Sequence, residues 1–273
     1  MQEAIADRME VSVPHFSSLQ GEAGGAFINA TPAELGAALT DSEWSIALRV
    51  RLGMPVCAVA AFCCHIRSRK SGGTTCRQAL DILGRHAMSC NIGAGVTAIH
   101  DTLRDLLARA GVAAGFRTLC EQVIPDLASG NRQEPRVDVE AWGHSTCANV
   151  LLDVTVPDPF AVRYNRSEHK QHVPPTIDAE LQKNNEYPRT GDAHVRGVAV
   201  DLLGHIGPQL EGLLHEWAAL ARQRDLAFGV SGRRWIACWR AQISAAVARG
   251  VARQVQTAQR WAGAIAARQH YTR

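Results

Sequence analysis

One amphipathic helical pattern, followed directly by three short apolar runs, limits this chain to a small set of folds. From Gly95 to Ala110 the apolar side chains recur at helical intervals, and Gly111 predicts the end of that helix. The runs over residues 119–125, 136–142 and 149–157 are short and rich in β-branched residues, which favours strands. A helix followed by three strands predicts an α/β fold.

The rest of the sequence predicts helices on both sides of this unit. Thr31-Pro-Ala-Glu34 and Thr40-Asp-Ser-Glu43 carry the capping-box pattern of helix starts. After the three strands, the pattern predicts a helix, a strand and two more helices, over residues 177–186, 195–203, 208–224 and 231–267. We divide the chain into a helical N-terminal segment (1–56), a Cys/His-rich segment (57–93), an α/β domain (94–205) and a helical C-terminal extension (206–273).

Composition excludes some classes of protein. No run of the sequence approaches the roughly 18 apolar residues that a membrane helix needs, so we expect no membrane partner. The N-terminus lacks the basic flank and apolar core of a secretion signal, and the 8 cysteines are scattered, which favours a reduced, intracellular protein. The formal charge of +3 is too small to identify nucleic acid as a partner on its own.

Two aspartates are the strongest candidates for chemistry. If the turn between the second and third strands centres between Ser145 and Thr146, antiparallel pairing places Asp138 directly opposite Asp153. Opposed carboxylates, with Cβ atoms roughly 4.5–5.5 Å apart, repel each other unless a cation lies between them. Carboxylate oxygens suit Mg²⁺ or Mn²⁺, which can activate a water molecule for hydrolysis. The alternative is that both aspartates are structural and form salt bridges.

Around these aspartates, Pro135-Arg-Val-Asp138 and Asp153-Val-Thr155 resemble the PD-(D/E)xK nuclease motif. Three segments resemble the restriction-like endonuclease domain that follows the reverse transcriptase of certain site-specific non-LTR retrotransposons. They are Asp41-Ser-Glu-Trp-Ser-Ile-Ala-Leu-Arg-Val-Arg-Leu-Gly-Met-Pro55, the segment from Cys76 through Leu80-Asp-Ile-Leu-Gly-Arg-His86-Ala-Met-Ser-Cys90, and Leu151-Leu-Asp-Val-Thr-Val-Pro157. The resemblance covers about residues 40–190, and no reverse-transcriptase catalytic motif is present.

The resemblance implies a restriction-endonuclease-like core: a helix, a three-stranded antiparallel meander, a helix and a strand. It also implies a Mg²⁺- or Mn²⁺-dependent endonuclease that nicks target DNA, with Asp138 and Asp153 as its metal ligands. DNA is then the main partner, RNA a second one, and the nucleus the expected location. The competing interpretation is an inactive nucleic-acid-binding remnant of the same retroelement protein. An unrelated interaction protein with structural aspartates is the third.

The position of the catalytic lysine departs from the motif. Thr155 occupies the motif's lysine position, and threonine cannot supply a positive charge. In this family the lysine is often found on the following helix, which implies Lys183 here. The alternative is that Lys183 is a solvated residue paired with nearby glutamates. Glu121, on the first strand, is a weaker candidate for a third carboxylate, since a single glutamate on a strand is usually a surface residue.

The Cys/His-rich segment resembles the family's zinc-binding module in an incomplete form. Cys76, His86 and Cys90 match three ligands, but Gly73 stands where the family has another cysteine. Structural zinc takes four ligands, so one residue of the group Cys63, Cys64 and His65 would have to complete the site. The alternative is a decayed finger whose cysteines are ordinary buried thiols.

Other polar and aromatic residues have weaker claims. We interpret His100 and Tyr187 as packing residues. The stretch from Arg233 to Arg240, with Arg249, Arg253, Arg260 and Trp261, mixes cations with aromatic rings in the manner of a nucleic-acid surface. The alternative for this stretch is an amphipathic helix with a solvated basic face.

Overall fold

The computed structural model describes residues 17–19, 23–30, 38–57, 76–90, 92, 95–127, 134–145, 147–165, 174–187, 195–224 and 231–271. The predicted helix start at Thr31 and the candidate ligands Cys63, Cys64 and His65 lie outside these residues. In chain order the elements are α1 (Ala26–Asn29), α2 (Asp41–Arg51), α3 (Arg85–Ser89), α4 (Gly95–Ala114), β1 (Arg117–Val123), β2 (Arg136–Trp142), β3 (Val150–Thr155), α5 (Val162–Asn165), α6 (Pro175–Glu186), β4 (Val195–Ala199), α7 (Pro208–Arg224) and α8 (Gly232–Tyr271).

The sheet has the order β1-β2-β3-β4. The pairs β1–β2 and β2–β3 are antiparallel, which confirms the predicted meander. β4 pairs with β3 in parallel, because the chain crosses back through α6 before it re-enters the sheet. The protein is therefore of the α/β class, with a mixed four-stranded sheet and helices at both ends.

Two predicted boundaries are wrong for local reasons. Helix α4 does not stop at Gly111 but continues to Ala114, and Gly115 ends it with a φ of +108°. A Cβ atom at Gly111 would lie 2.9 Å from Thr118 Cγ2, so this glycine serves close packing and not termination. Strand β4 ends at Ala199, short of the predicted residue 203, because a turn begins there.

That turn is fixed by Asp201. Its Oδ1 atom accepts hydrogen bonds from the amides of Leu203 and His205, at 2.9 and 3.0 Å. Gly204 adopts a φ of +84°, which a residue with a side chain rarely does. The turn directs the chain from β4 into α7, so β4 ends close to the start of that helix.

The N-terminal helix α2 starts as predicted. The Thr40 hydroxyl accepts from the Glu43 amide, and the Glu43 carboxylate accepts from the Thr40 amide at 3.0 Å, which confirms the capping box. Glu43 is buried but paired, because Arg253 of α8 donates to it at 2.9 Å. This pair ties the N-terminal segment to the C-terminal helix.

The main core lies between the sheet and helices α4, α7 and α8. It contains strand residues such as Val139, Leu152 and Val154 together with the apolar stripe of α4. Residues of the Cys/His-rich segment belong to the same core: Leu80, Ala87, Met88 and Cys90. The described part of that segment is therefore held by apolar burial against the α/β unit.

Candidate active site

Asp138 and Asp153 lie where β2 and β3 separate. Val139 pairs with Leu152, and one more step in the same register places Asp138 opposite Asp153, as the predicted hairpin requires. The regular pairing ends before that step. Instead, Oδ2 of Asp138 accepts a hydrogen bond of 2.6 Å from the amide of Val154. The Asp138 carboxylate is thereby held against β3, beside Asp153.

Asp153 receives its partners from α6 and the residue that follows it. Its side chain is buried, the Tyr187 hydroxyl donates to Oδ2 at 2.5 Å, and Lys183 Nζ lies 3.3 Å from the same oxygen. The Lys183 ammonium also contacts Glu186 at 3.3 Å. The structure thus places Lys183 in direct contact with one of the two predicted carboxylates.

Two residues place α6 closely against the sheet. A Cβ atom at Gly197 of β4 would lie 2.5 Å from Lys183 Cβ, so only glycine allows this approach. Glu180 is 1% exposed, and its carboxylate accepts hydrogen bonds from the Ala199 amide at 3.2 Å and from two amides in the first turn of α7, at 2.9 and 3.2 Å. Glu180 therefore joins α6 both to β4 and to the start of α7.

His100 reaches Asp138 from helix α4. Its Nε2 atom lies 3.2 Å from Asp138 Oδ2, and its Nδ1 atom lies 3.4 Å from Asp101. The hydrogen bond with Asp138 raises the pKa of His100 to about 9, although burial opposes the shift. In this arrangement the imidazole is positively charged at neutral pH and offsets part of the negative charge of the aspartates.

All the donors that reach the two aspartates from other described residues end on Oδ2. For Asp138 these donors are a backbone amide and His100, and for Asp153 they are a phenol and an ammonium group. No described residue outside this pair donates to either Oδ1 atom. The donors thus fix both side chains and leave one oxygen of each available.

The pKa values of the two aspartates are shifted in opposite directions. Burial raises the pKa of Asp153, the charge of Asp138 adds to that effect, and the net pKa lies above its ordinary value despite Tyr187 and Lys183. Burial also acts to raise the pKa of Asp138, but His100 and the neighbouring amide outweigh burial and leave its pKa lowered. Neighbouring carboxylates whose pKa values are shifted in opposite directions are typical of functional sites.

These residues line a cavity of about 660 Å³. The lining includes His100, Asp138, Asp153, Lys183 and Tyr187, and it is completed by Val96, Thr97, Glu134, Pro135, Arg136, Thr155 and others. Thr155, which occupies the motif's lysine position, therefore faces the same space as Lys183. A volume in this range is typical of ligand sites.

Glu121 lies next to the two aspartates in the sheet, but its side chain contacts other residues. Its neighbours in β1 pair with residues 139 and 137, which places Glu121 opposite Asp138. It has a φ of +58°, which is strained for a residue with a side chain. Its carboxylate accepts from Arg104 at 2.7 Å and lies 3.7 Å from Arg136. Glu121 is not among the described residues that line the cavity.

The three predicted zinc ligands come together. Cys76 Sγ lies 3.1 Å from His86 Nε2, and the ligand atoms of Cys76, His86 and Cys90 all lie within 4.8 Å of one another. The Asp81 carboxylate fixes the start of α3 by accepting from two backbone amides, at 3.2 and 3.1 Å. Burial lowers the pKa of His86, which favours the neutral imidazole that binds metals. The group is a possible metal-binding cluster.

Several cations of the C-terminal helix have partners within the protein. Arg253 donates to Glu43 at 2.9 Å, Arg240 pairs with Glu211, and Arg249 donates to a backbone carbonyl of residue 38 at 2.5 Å. These arginines therefore connect α8 to other elements. Their role as a nucleic-acid surface stays a prediction.

Sequence reasoning missed two residues of the site. The sequence pattern favours His100 and Tyr187 as packing residues, yet each contacts one of the aspartates. Tyr187 follows Lys183 by four residues, a spacing that places both on one side of a helix. His100 follows Val96, another residue of the cavity, by the same spacing. Only the interval between Lys183 and Tyr187 was a signal in the sequence, because the structure alone shows that Val96 lines the cavity.

Comparisons with protein-family models and with curated proteins found no match for this chain. Within the described residues, no helix is long and apolar enough to cross a membrane.

Proposed function

We propose that this protein is a metal-dependent DNA endonuclease with a PD-(D/E)xK core, derived from the endonuclease region of a non-LTR retrotransposon protein. The proposal rests on the convergence of Asp138, Asp153 and Lys183, from three different elements, at one cavity. The order of helix, antiparallel meander, helix and strand agrees with this core. DNA is the proposed substrate, RNA a second partner, and the nucleus the site of action.

The two aspartates fit a divalent cation. They are neighbouring, largely buried carboxylates, and each keeps one oxygen that no other described residue engages. A hard cation such as Mg²⁺ or Mn²⁺ matches these oxygen donors and would remove their mutual repulsion. When bound, it would supply Lewis-acid catalysis and lower the pKa of a water molecule.

Lys183 supplies the positive charge that Thr155 cannot. Burial acts to lower the pKa of Lys183, but the charges of Asp153 and Glu186 outweigh it, so the ammonium stays protonated. A fixed positive charge beside the carboxylates stabilises the negative charge that develops on a phosphate during hydrolysis. Tyr187 and His100 act as positioning residues, because each holds one carboxylate in place.

For the Cys/His cluster we propose structural zinc. Two thiols and one imidazole, in contact and partly buried, are soft ligands of the kind that zinc prefers. The fourth ligand is proposed to come from Cys63, Cys64 or His65. Because Cys90 belongs to the main core, metal bound here would stabilise the fold as a whole.

The decisive experiment measures nicking of supercoiled plasmid by the purified protein with Mg²⁺, with Mn²⁺ and with EDTA. Asp138→Asn and Asp153→Asn are compared with Asp41→Asn, which removes a carboxylate on α2, outside the cavity. We expect metal-dependent nicking in the wild type and in Asp41→Asn, and a loss of at least a hundredfold in the other two variants.

A thermal-shift measurement with Mn²⁺ completes the test. A ligand at about 100 times its dissociation constant stabilises a protein by about 2.7 kcal/mol, so the melting temperature should rise in the wild type and not in Asp153→Asn. DNA binding without nicking would favour the inactive remnant. The absence of both the metal shift and DNA binding would favour structural aspartates in an unrelated protein.

A further inference from the structure

We propose that Arg136 binds a backbone phosphate of the DNA beside the catalytic carboxylates, and that Glu121 competes with this phosphate for the Arg136 guanidinium. The proposal deepens the proposed function, since it assigns a substrate contact in the same cavity. It also gives Glu121 a role that differs from that of a third metal ligand.

The backbone of Arg136 is fixed by the site itself. The Tyr187 hydroxyl, which donates to Asp153, also lies 3.3 Å from the carbonyl oxygen of Arg136. Arg136 precedes Asp138 by two residues in β2, so their side chains leave the strand on the same side. The Arg136 side chain lines the cavity and is 58% exposed. The guanidinium is thus anchored at its base and open to solvent at its end.

Arg136 differs from the other cationic side chains among the described residues of the cavity. Lys183 is held between Asp153 and Glu186, at 3.3 Å from each. His100 is held by Asp138 at 3.2 Å. These two cations are therefore occupied in organising the carboxylates, whereas Arg136 contacts neither aspartate in the described structure.

The ion pair of Arg136 is weak enough to exchange. It joins Arg136 Nη1 to Glu121 Oε2 over 3.7 Å, both side chains are well exposed, and Glu121 is already bound by Arg104 at 2.7 Å. An exposed pair of this kind contributes about 0–1 kcal/mol. A guanidinium can bind phosphate through two parallel hydrogen bonds, which are stronger. A phosphate that enters the cavity would therefore replace Glu121 as the partner of Arg136.

The test measures binding of a short DNA duplex in EDTA by fluorescence anisotropy, at several salt concentrations. For Arg136→Gln we expect affinity to fall about threefold to tenfold at 0.1 M salt, and the slope of log K against log salt to fall by about 1. For Glu121→Gln we expect tighter binding, because the competing carboxylate is removed. In the Arg136→Gln background, Glu121→Gln should bring no gain, since its effect acts through Arg136.

Two control variants separate this contact from a general effect of charge. Arg196→Gln removes an arginine that is paired with Glu216 and is not among the described residues lining the cavity, and it should keep the wild-type slope. Glu134→Gln removes a carboxylate of the same cavity without breaking an ion pair to Arg136 in the described structure. The gain in DNA affinity from removing this negative charge should therefore persist in the Arg136→Gln background.

Three results would overturn the proposal: an unchanged salt slope in Arg136→Gln, a Glu121→Gln gain that persists without Arg136, or loss of nicking in Glu121→Gln with unchanged DNA binding. The last result would make Glu121 a catalytic carboxylate. Because binding is measured in EDTA, it is independent of nicking. A protein that binds through Arg136 but cuts nothing would contradict the proposed endonuclease and support this contact.

Discussion

The ammonium group of Lys183 lies 3.3 Å from Oδ2 of Asp153, and the two residues come from different layers of the fold. Asp153 lies in a strand in the interior of the sheet, and Lys183 lies in the helix that connects this strand to the next. Their contact therefore depends on how closely α6 packs against β4.

Removing the charge of Lys183 should lower DNA cleavage without abolishing metal binding. We expect Lys183→Met to lower nicking by at least a hundredfold, because the positive charge that stabilises the phosphate is lost. The Mn²⁺ thermal shift should persist, since both aspartates remain. Glu186→Gln, which removes the other partner of Lys183, is the control and should keep most of the activity. Normal nicking in Lys183→Met would exclude this lysine from the mechanism.

Gly197 offers a test of the packing of α6. We expect Gly197→Ala to displace α6, because the new Cβ atom would meet Lys183 Cβ at 2.5 Å and the carbonyl oxygen of Glu180 at 3.0 Å. Nicking should fall strongly, and thermal stability should fall by about 1–3 kcal/mol. Gly212→Ala, in the middle of α7 with open space around it, should instead stabilise the protein by up to about 1 kcal/mol. Equal effects of the two variants would argue against the packing explanation.

The hydroxyl of Tyr187 should matter for metal binding. In Tyr187→Phe the ring still fills its apolar cluster, but the hydrogen bond to Asp153 is lost. Loss of a partner that orients a metal ligand typically lowers metal affinity or activity by about 10–100-fold. We expect the Mn²⁺ concentration for half-maximal nicking to rise, and higher Mn²⁺ to restore part of the rate. A drop in melting temperature with an unchanged Mn²⁺ requirement would reduce Tyr187 to a packing residue.

His100 should make the stability of the metal-free protein depend on pH. Below pH 6.5 the imidazole is protonated in both the folded and the unfolded chain. Between pH 6.5 and 9 the folded chain keeps the proton, because its pKa is about 9, while the unfolded chain releases it. We expect the free energy of unfolding in EDTA to fall by about 1–3 kcal/mol over this range.

Urea denaturation at a series of pH values measures this effect. His100→Gln should remove most of the pH slope, because the titrating partner of Asp138 is gone. His215→Gln, which replaces an exposed histidine on α7, should keep the slope. The same slope in wild type and His100→Gln would contradict the charged His100–Asp138 pair.

The Cys/His cluster predicts a bound metal. We expect the protein purified without chelator to contain about one zinc per chain by elemental analysis, and Cys90→Ser to lose it together with thermal stability. Cys120→Ser replaces a cysteine in β1 that lies outside the cluster, and it should retain the metal. A metal-free wild type with normal stability would favour the interpretation of a decayed finger.

The sequence predicted those parts of the site that depend on local periodicity. Counting residues around the β2–β3 turn gave the register of Asp138 and Asp153, because the position of a hairpin turn determines which residues of the two strands pair. His100 could not be assigned in this way, since its contact depends on the angle at which α4 packs on the sheet. The strained φ of Glu121 has no signature in residue type, and Gly111 has the same identity whether it ends a helix or permits close packing.

His100 lies on helix α4, and the same helix supplies much of the main core. Mutations that repack this core would therefore also move the imidazole that contacts Asp138, so the core and the proposed site cannot change independently through evolution. If the proposed endonuclease lost its activity in some lineage, changes at Asp138, Asp153 or Lys183 would remove the proposed chemistry without repacking this core. Selection for or against the proposed activity should therefore be visible at these three positions when related genes are compared.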